Sequence, residues 1–365
     1  MNVPTLVSLF VPSLMVGGAE RVALNLSQAL CERGFKVDLV AQNAIGAFQS
    51  NVAAQVRVID LGAPGMISKC FALKRYLERE QPTVLLSILD NVNVAGWARL
   101  LARVPTRIIV SLHINLSQQP PGFKTHFRPY LVRYSYLLAD GVVAVSQGVA
   151  ENLAQVSGFP RDRIHVIPNP VITTSILRRS QEAAQHPWLS DESPVILGVG
   201  RLSPEKDFST LIRAFALVRQ QRSARLMILG DGEQRSALEA LVQTLGLEKD
   251  VALPGFVENP YAYMSRSSVL VLSSVSEAFG NVIVEAMAVG TPVISTCSRQ
   301  GGPLEILENG RYGKLVSVAD VPALAHAILA TLNEPTNTDL LQQRSQTFFV
   351  DRIVNQYLEV LGVAP

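Results

Sequence analysis

Short, continuously apolar runs separated by helical patterns recur along all 365 residues, and this alternation limits the fold more than any other feature. In the first half the runs are Thr5–Phe10, Lys36–Val40, Val56–Asp60, Val84–Ile88, Thr106–Ser111, Gly141–Val145 and Ile164–Ile167. Pro194–Val199, Leu226–Leu229, Ser268–Ser273 and Val293–Ser295 continue the series. Strands apolar on both sides need helices on both sides, so the rhythm predicts parallel, doubly wound sheets. Such sheets bind ligands in the loops beyond the carboxyl ends of their strands. The chain is too long for one ordinary core and suits two α/β domains. Two prolines stiffen the turn Pro168-Asn169-Pro170, and the polar stretch Thr173–Ser193 follows it. We therefore expect one domain over residues 1–175, a second over 176–345 and a last segment over 346–365. In that segment Ile353, Val354, Tyr357, Leu358 and Leu361 fall along one side of a helix.

Composition removes several function classes. Cys31, Cys70 and Cys297 are scattered and odd in number, which suits neither a disulfide framework nor a metal cluster and favours a cytosolic setting. The uncharged run Val3–Ala19 has no Lys or Arg before it and is broken by Pro4 and Pro12. It reads as a first strand, not a signal peptide or a span, and any membrane association is expected to be peripheral. Charge is divided unevenly. Residues 1–185 hold 18 Lys and Arg against 11 Asp and Glu, whereas the remainder holds 14 against 19. A basic first half suits a partner bearing phosphate, and with no nucleic-acid motif beside it an anionic lipid or lipid pyrophosphate is the better fit.

The densest cluster of candidate site residues is Ser276–Gly290. Glu277 lies in the loop after a buried strand, and Glu285 lies inside the helix that starts near Asn281. Between the two acids fall Phe279 and the amino-terminal N–H groups of Gly280, Asn281 and Val282, a natural seat for an anion. A ligand with phosphate in the middle and hydroxyl-rich rings at both ends, such as a nucleotide-sugar, would match. Gly198-Val199-Gly200-Arg201-Leu202-Ser203-Pro204-Glu205-Lys206-Asp207-Phe208 adds two cations, Arg201 and Lys206, in one strand-end loop, with Asp207 placed to cap the next helix. In the first half, Gly17-Gly18 follows the first strand and permits close backbone approach, and His113 ends the strand Arg107–Leu112. A dinucleotide fold would need Gly-x-Gly-x-x-Gly, which Gly198-Val199-Gly200 followed by Arg-Leu-Ser does not supply.

Taken together, these stretches resemble the retaining glycosyltransferases of family 4, which have the GT-B fold. The similarity rests on the Glu277-x7-Glu285 element running into Ala286-Met287-Ala288-x-Gly290, on Gly200-Arg201-Leu202 with Lys206-Asp207-Phe208, and on Gly17-Gly18-Ala19-Glu20-Arg21. Gly301-Gly302-Pro303-Leu304-Glu305-Ile306 and Pro168-Asn169-Pro170-Val171 fall in the same order. Ala278 is the one departure, where the family commonly has Gly. The resemblance implies two Rossmann-like domains facing a central cleft, with acceptor on the first and nucleotide-sugar on the second, and a last helix crossing back to the first. It further implies that Arg201 and Lys206 bind the donor diphosphate in place of a metal ion, with no other cofactor. Gly17 and Gly18 would close over the phosphates, His113 and Glu277 would contact the transferred sugar, Glu285 the ribose, and Val257 the base.

The activity expected is transfer of a sugar, with retention, from a nucleotide diphosphate sugar, UDP-linked, to a lipid-linked or polysaccharide acceptor of surface glycan biosynthesis. The enzyme would work in the cytoplasm, on the inner face of the cell membrane. Alternatives are a sucrose- or trehalose-type transferase with a soluble acceptor and a catalytically inactive GT-B subunit. For the membrane contact, Pro120–Tyr136 interleaves Phe123, Phe127, Tyr130, Tyr134 and Tyr136 with Lys124, His126, Arg128 and Arg133. Leu131, Tyr134, Leu137 and Leu138 also make a core-like stripe, so an internal packing role stays open.

Overall fold

A computed structural model describes residues 5–15, 17–46, 48–89, 92–118, 134–191, 193–297 and 301–364. The chain divides into two compact units, one formed by Met1–Val171 with Phe348–Pro365 and the other by Ile172–Thr347. The first unit is built on β1 (Leu6–Ser13), β2 (Lys36–Asn43), β3 (Arg57–Asp60), β4 (Val84–Ile88), β5 (Arg107–Leu112), β6 (Gly141–Ala144) and β7 (Ile164–Val166). These seven strands form one sheet in the order β3-β2-β1-β4-β5-β6-β7. The second unit is built on β8 (Val195–Val199), β9 (Arg225–Leu229), β10 (Val251–Gly255), β11 (Val269–Leu272), β12 (Val293–Cys297) and β13 (Lys314–Ser317), in the order β10-β9-β8-β11-β12-β13.

Every strand pair is parallel. This is the doubly wound architecture of a GT-B protein, and the apolar runs explain it. Leu9 of β1 lies opposite Leu39 of β2 and Leu86 of β4, and all three are fully buried. Beyond Phe10, where the apolar run was expected to end, β1 continues through Pro12 to Ser13. Pairing with β4 ends at Phe10, so Pro12 lies where β1 has a single neighbour and its missing N–H is tolerated.

In each sheet the strand order reverses beside its first strand, between β1 and β4 and between β8 and β11. The carboxyl ends there are the crevice in which such folds bind ligands. In the second unit the loops after β8 and β11 therefore flank this point. In the first unit Gly17 and Gly18 follow β1, where Gly18 begins the helix Gly18–Glu32.

The last helix, Val350–Leu361, belongs to the first unit. Its stripe of Val350, Ile353, Val354, Tyr357, Leu358 and Leu361 joins the core formed by β1, β2 and the helix Gly18–Glu32. Arg107, opening β5, donates to the carbonyls of Leu361 at 3.0 Å and Val360 at 3.4 Å, meeting acceptors that the helix end leaves unpaired. Ile353 is fully buried. Ile353→Ala should lower the unfolding free energy by about 2–5 kcal/mol, from lost transfer energy plus the cavity left behind, measured by urea unfolding against wild type.

Candidate active site

Two loops meet at the reversal point of the second sheet. After β8 the chain makes a short turn over Pro204–Lys206 and then reaches Asp207, which has left-handed backbone angles and caps the helix Phe208–Gln221. The Asp207 carboxylate accepts from Thr210 N at 3.2 Å, Thr210 Oγ1 at 2.6 Å and Ser209 Oγ at 2.7 Å. Lys206 is thus anchored immediately before a saturated cap. After β11, Ser273 Oγ donates to the Lys206 carbonyl at 2.8 Å, and Val275 N donates to the Glu205 carbonyl at 2.9 Å. These bonds dock one loop on the other.

That docking brings together two of the anticipated residues. Lys206 Nζ donates to Glu277 Oε1 at 3.0 Å and Oε2 at 2.8 Å. Both side chains are about four-fifths buried, so the pair forms where water screens it little. Arg201 comes from the same loop as Lys206 but stays apart from Glu277. Its guanidinium is mostly exposed and pairs with Glu205 at 2.7 Å. Burial would raise the Glu205 carboxyl, yet hydrogen bonds from its own backbone, Ser203 and Arg201 hold it below the ordinary carboxylate range.

The Glu277 loop runs into the helix Asn281–Ala288, whose start at Gly280 has a positive φ of 104° and no side-chain cap. Phe279 is buried, while Gly280, Asn281, Val282 and Glu285 follow along this start. Glu285 is only 8% exposed, one turn inside the helix. A third loop supports this segment. Gly302 N donates to the Glu277 carbonyl at 3.1 Å, and a Cβ on Gly302 would sit 2.3 Å from the Phe279 Cα. The loop after β9 is pressed onto the Arg201 loop in the same way. A Cβ on Gly230 would lie 1.9 Å from the Gly200 carbonyl oxygen, and Leu202 N donates to the Asp231 carbonyl at 2.9 Å. Gly230 N also donates to the Gly255 carbonyl at 2.8 Å, which ties in the end of β10, two residues before the half-buried Val257. Val257 therefore sits at the same sheet edge with no bond to the ion pair.

Among the described residues, no three of His, Cys, Asp and Glu gather in a way that could hold a metal ion.

In the first unit, Gly17 caps the helix Gly18–Glu32 in extended backbone, and Arg21 N donates to its carbonyl at 3.1 Å. His113 directly follows β5. Its Nε2 lies 2.9 Å from Ser111 Oγ, which in turn lies 3.2 Å from the Tyr357 hydroxyl. The ring keeps part of its surface, but the protein around it removes enough water to push its pKa down to about 3. Neither Ser111 nor Tyr357 stands out in the sequence, because one sits within a strand and the other within an apolar helix stripe.

The family follows from these motifs in this order. Residues 16–175 match the family described as Glycosyltransferase Family 4, and residues 180–347 match Glycosyl transferases group 1. The chain belongs to the family 4 glycosyltransferases. It is 29% identical to the lipopolysaccharide core biosynthesis glycosyltransferase LpsE of Rhizobium meliloti, covering 96% of this chain and 97% of that one. It is 26% identical to an N-acetylgalactosamine-N,N'-diacetylbacillosaminyl-diphospho-undecaprenol 4-alpha-N-acetylgalactosaminyltransferase of Campylobacter jejuni, over 93% of each chain. Its fold is similar to that of Anabaena HepE, solved with UDP-glucose, at a TM-score of 0.80 and 24% identity over 98% of this chain and 99% of the other.

Two outcomes test this geometry in the glycosyltransferase. Gly302→Ala has no room beside the Phe279 backbone, so the Glu277 loop must shift, and turnover should fall by about a hundredfold or more, the cost of displacing a reacting group by an ångström. A steady-state assay alongside circular dichroism checks this. His113 concerns pH. The unfolded imidazole takes up a proton near pH 6.5 and the folded one only near 3, so stability falls as pH drops through that window. His113→Gln should flatten this part of the acid-unfolding curve.

Proposed function

We propose that this glycosyltransferase moves a sugar from a nucleotide diphosphate sugar, UDP-linked, to a lipid-linked acceptor of surface glycan biosynthesis, with retention of the donor's configuration. The observation that carries the reading is the Lys206–Glu277 ion pair at the reversal point of the second sheet, one turn from the amino end of the helix Asn281–Ala288. An ammonium, the neighbouring Arg201 and a helix amino terminus all favour negative charge, and that charge grows on the departing diphosphate as the glycosidic bond breaks. These groups would do what a bound metal does in other transferases. A phosphate taking an N–H that Lys206 now gives to Glu277 would release that Glu277 oxygen, which can then accept from a hydroxyl of the transferred sugar. Glu285, inside the helix, is assigned to the ribose hydroxyls, Val257 to the base, and Gly17, Gly18 and His113 to the first unit's share of the donor.

The lipid-linked acceptor draws support from the Campylobacter relative, whose own substrate is undecaprenol-linked by name, and from the first unit's surface. Among the described residues no helix is long and apolar enough to cross a membrane. The helices Met66–Glu80 and Val92–Ala102 pack against each other and expose Ile67 and Phe71 on one, Trp97, Leu100 and Leu101 on the other. Ser135 is hydrogen-bonded to Asn93 beside them, which brings the exposed Tyr134 to the same flank. Lys69, Arg75 and Arg103 form no ion pair among the described residues. Exposed apolar side chains with such cations on or just after the same helices suit an anionic bilayer.

The membrane contact expected of Pro120–Tyr136 falls almost wholly outside the described residues. Residues 120–133 of that segment, including Lys124, His126, Arg128 and Arg133, lie outside the described residues. Tyr136 is fully buried against Phe159, with ring centroids 6.1 Å apart, so it faces the core and not a lipid surface.

Kinetics separate the assigned roles. Lys206→Ala should slow transfer by on the order of a hundredfold, Glu277→Ala should mainly lower kcat, and Glu285→Ala should raise the donor KM, since ribose contacts exist in ground and transition states alike. A chelator should leave the wild-type rate unchanged, and the product should carry the donor's α configuration by proton NMR. The surface predicts cosedimentation with anionic but not neutral vesicles, weakened by salt because roughly 1 kcal/mol per cation is screened. A Lys69→Glu, Arg75→Glu, Trp97→Ser variant should lose that binding while keeping its rate on a short, soluble acceptor analogue.

A further inference from the structure

We propose that Tyr357, acting through Ser111, holds His113 as the neutral Nδ1–H tautomer, so that the ring offers a hydrogen-bond donor at the carboxyl end of β5. The inference rests on the reading of His113 as a residue that meets the donor substrate, and it adds the residue that positions it.

The count of protons among these three groups decides the tautomer. Tyr357 and Ser111 are both fully buried, and neither side chain has a hydrogen-bond partner beyond this chain of three groups among the described residues. The phenol carries one proton, the serine hydroxyl one and the neutral imidazole one. If Tyr357 donates to Ser111 Oγ, then Ser111 donates to His113 Nε2, and both buried protons are used. Nε2 is then an acceptor and the ring proton must sit on Nδ1. In the opposite sense, Nε2–H donates to Ser111, Ser111 donates to the phenol oxygen, and the phenol proton is left buried with nothing to meet it. If Tyr357 and His113 both donate to Ser111, the serine proton is stranded instead. Stranding a buried donor costs the full desolvation of that group, so the first arrangement prevails. Desolvation keeps the ring neutral and therefore tautomeric, consistent with its lowered pKa.

The strand and the helix hold this chain in register. Arg107 opens β5 and binds the carbonyls of Leu361 and Val360, while Ser111, four residues on, meets Tyr357, one helical turn before Leu361. One strand thus grips one helix at two points a turn apart, and the hydroxyl of Tyr357 is delivered to Ser111 by rigid elements. An Nδ1–H group is suited to a ligand oxygen, whether of a sugar hydroxyl or a phosphate. An Nδ1 lone pair would repel the phosphate.

The test uses the full chain labelled with 15N-histidine. Long-range proton–nitrogen correlation distinguishes the two tautomers, and His113→Gln identifies the signal among the five histidines. Wild type near pH 7 should show the Nδ1–H pattern. Tyr357→Phe frees Ser111 to accept from Nε2–H, so the pattern should shift toward the other tautomer and kcat should fall about fivefold, the size of one neutral hydrogen bond. An Nε2–H pattern in wild type overturns the proposal without any variant, so a poorly folding Tyr357→Phe does not shield it. An unchanged pattern in Tyr357→Phe removes Tyr357 from the role. A shifted tautomer with unchanged kcat overturns instead the contact of His113 with substrate.

Discussion

An ammonium bonded to both oxygens of a carboxylate, with both groups about four-fifths buried, persists only where its surroundings keep the two loops from separating. Lys206 and Glu277 meet this condition because their loops are joined by hydrogen bonds to backbone carbonyls. Ser273 holds the Lys206 carbonyl, Val275 holds that of Glu205, and Gly302 holds that of Glu277. The charged pair is the result of this stitching and not its cause, since each of those bonds would form with any side chain at positions 206 and 277. What the pair adds is chemistry. It stores a cation and an anion at the reversal point of the sheet, and on the proposed reading a diphosphate and a sugar would each claim one of them.

The same dependence explains why glycine recurs around the site. Gly230 and Gly302 stand where one loop's backbone rests on another's, closer than a Cβ allows. The carboxyl edge of the second sheet is therefore a stack of backbones with functional side chains projecting from it. Preorganisation of this kind lets fixed charges stabilise a leaving group without reorganising at the moment of reaction. In the first unit a strand and a helix do the equivalent work for His113, through Ser111 and Tyr357.

Much of this was legible in the sequence, and the remainder was hidden for identifiable reasons. Continuous apolar runs fixed the parallel sheets, because strands buried on both faces have no other common home. Asp207 was legible as a cap and Glu285 as a helix residue, since both follow from local spacing. The contact between Lys206 and Glu277 was not, because 71 residues separate them and only sheet order makes them neighbours. Gly302 was legible as part of the Gly301–Ile306 motif, but nothing local tells which backbone it abuts. Tyr357 looked like core, and it is core, but its hydroxyl finds Ser111 at a separation of 246 residues. Alternating rings and cations over Pro120–Tyr136 describe an interface and a packed segment equally well, and at the described end of that segment Tyr136 is buried while Tyr134 is exposed.

The most direct test of the account is a crystal structure of the enzyme with an intact UDP-sugar or an unreactive analogue. The account predicts a phosphate oxygen within hydrogen-bonding reach of Lys206 Nζ, about 2.7–3.2 Å, beside the amino end of the helix Asn281–Ala288. At least one Glu277 oxygen should have left Lys206 for a sugar hydroxyl. A diphosphate bound elsewhere, with both Lys206–Glu277 bonds intact, would contradict the central claim.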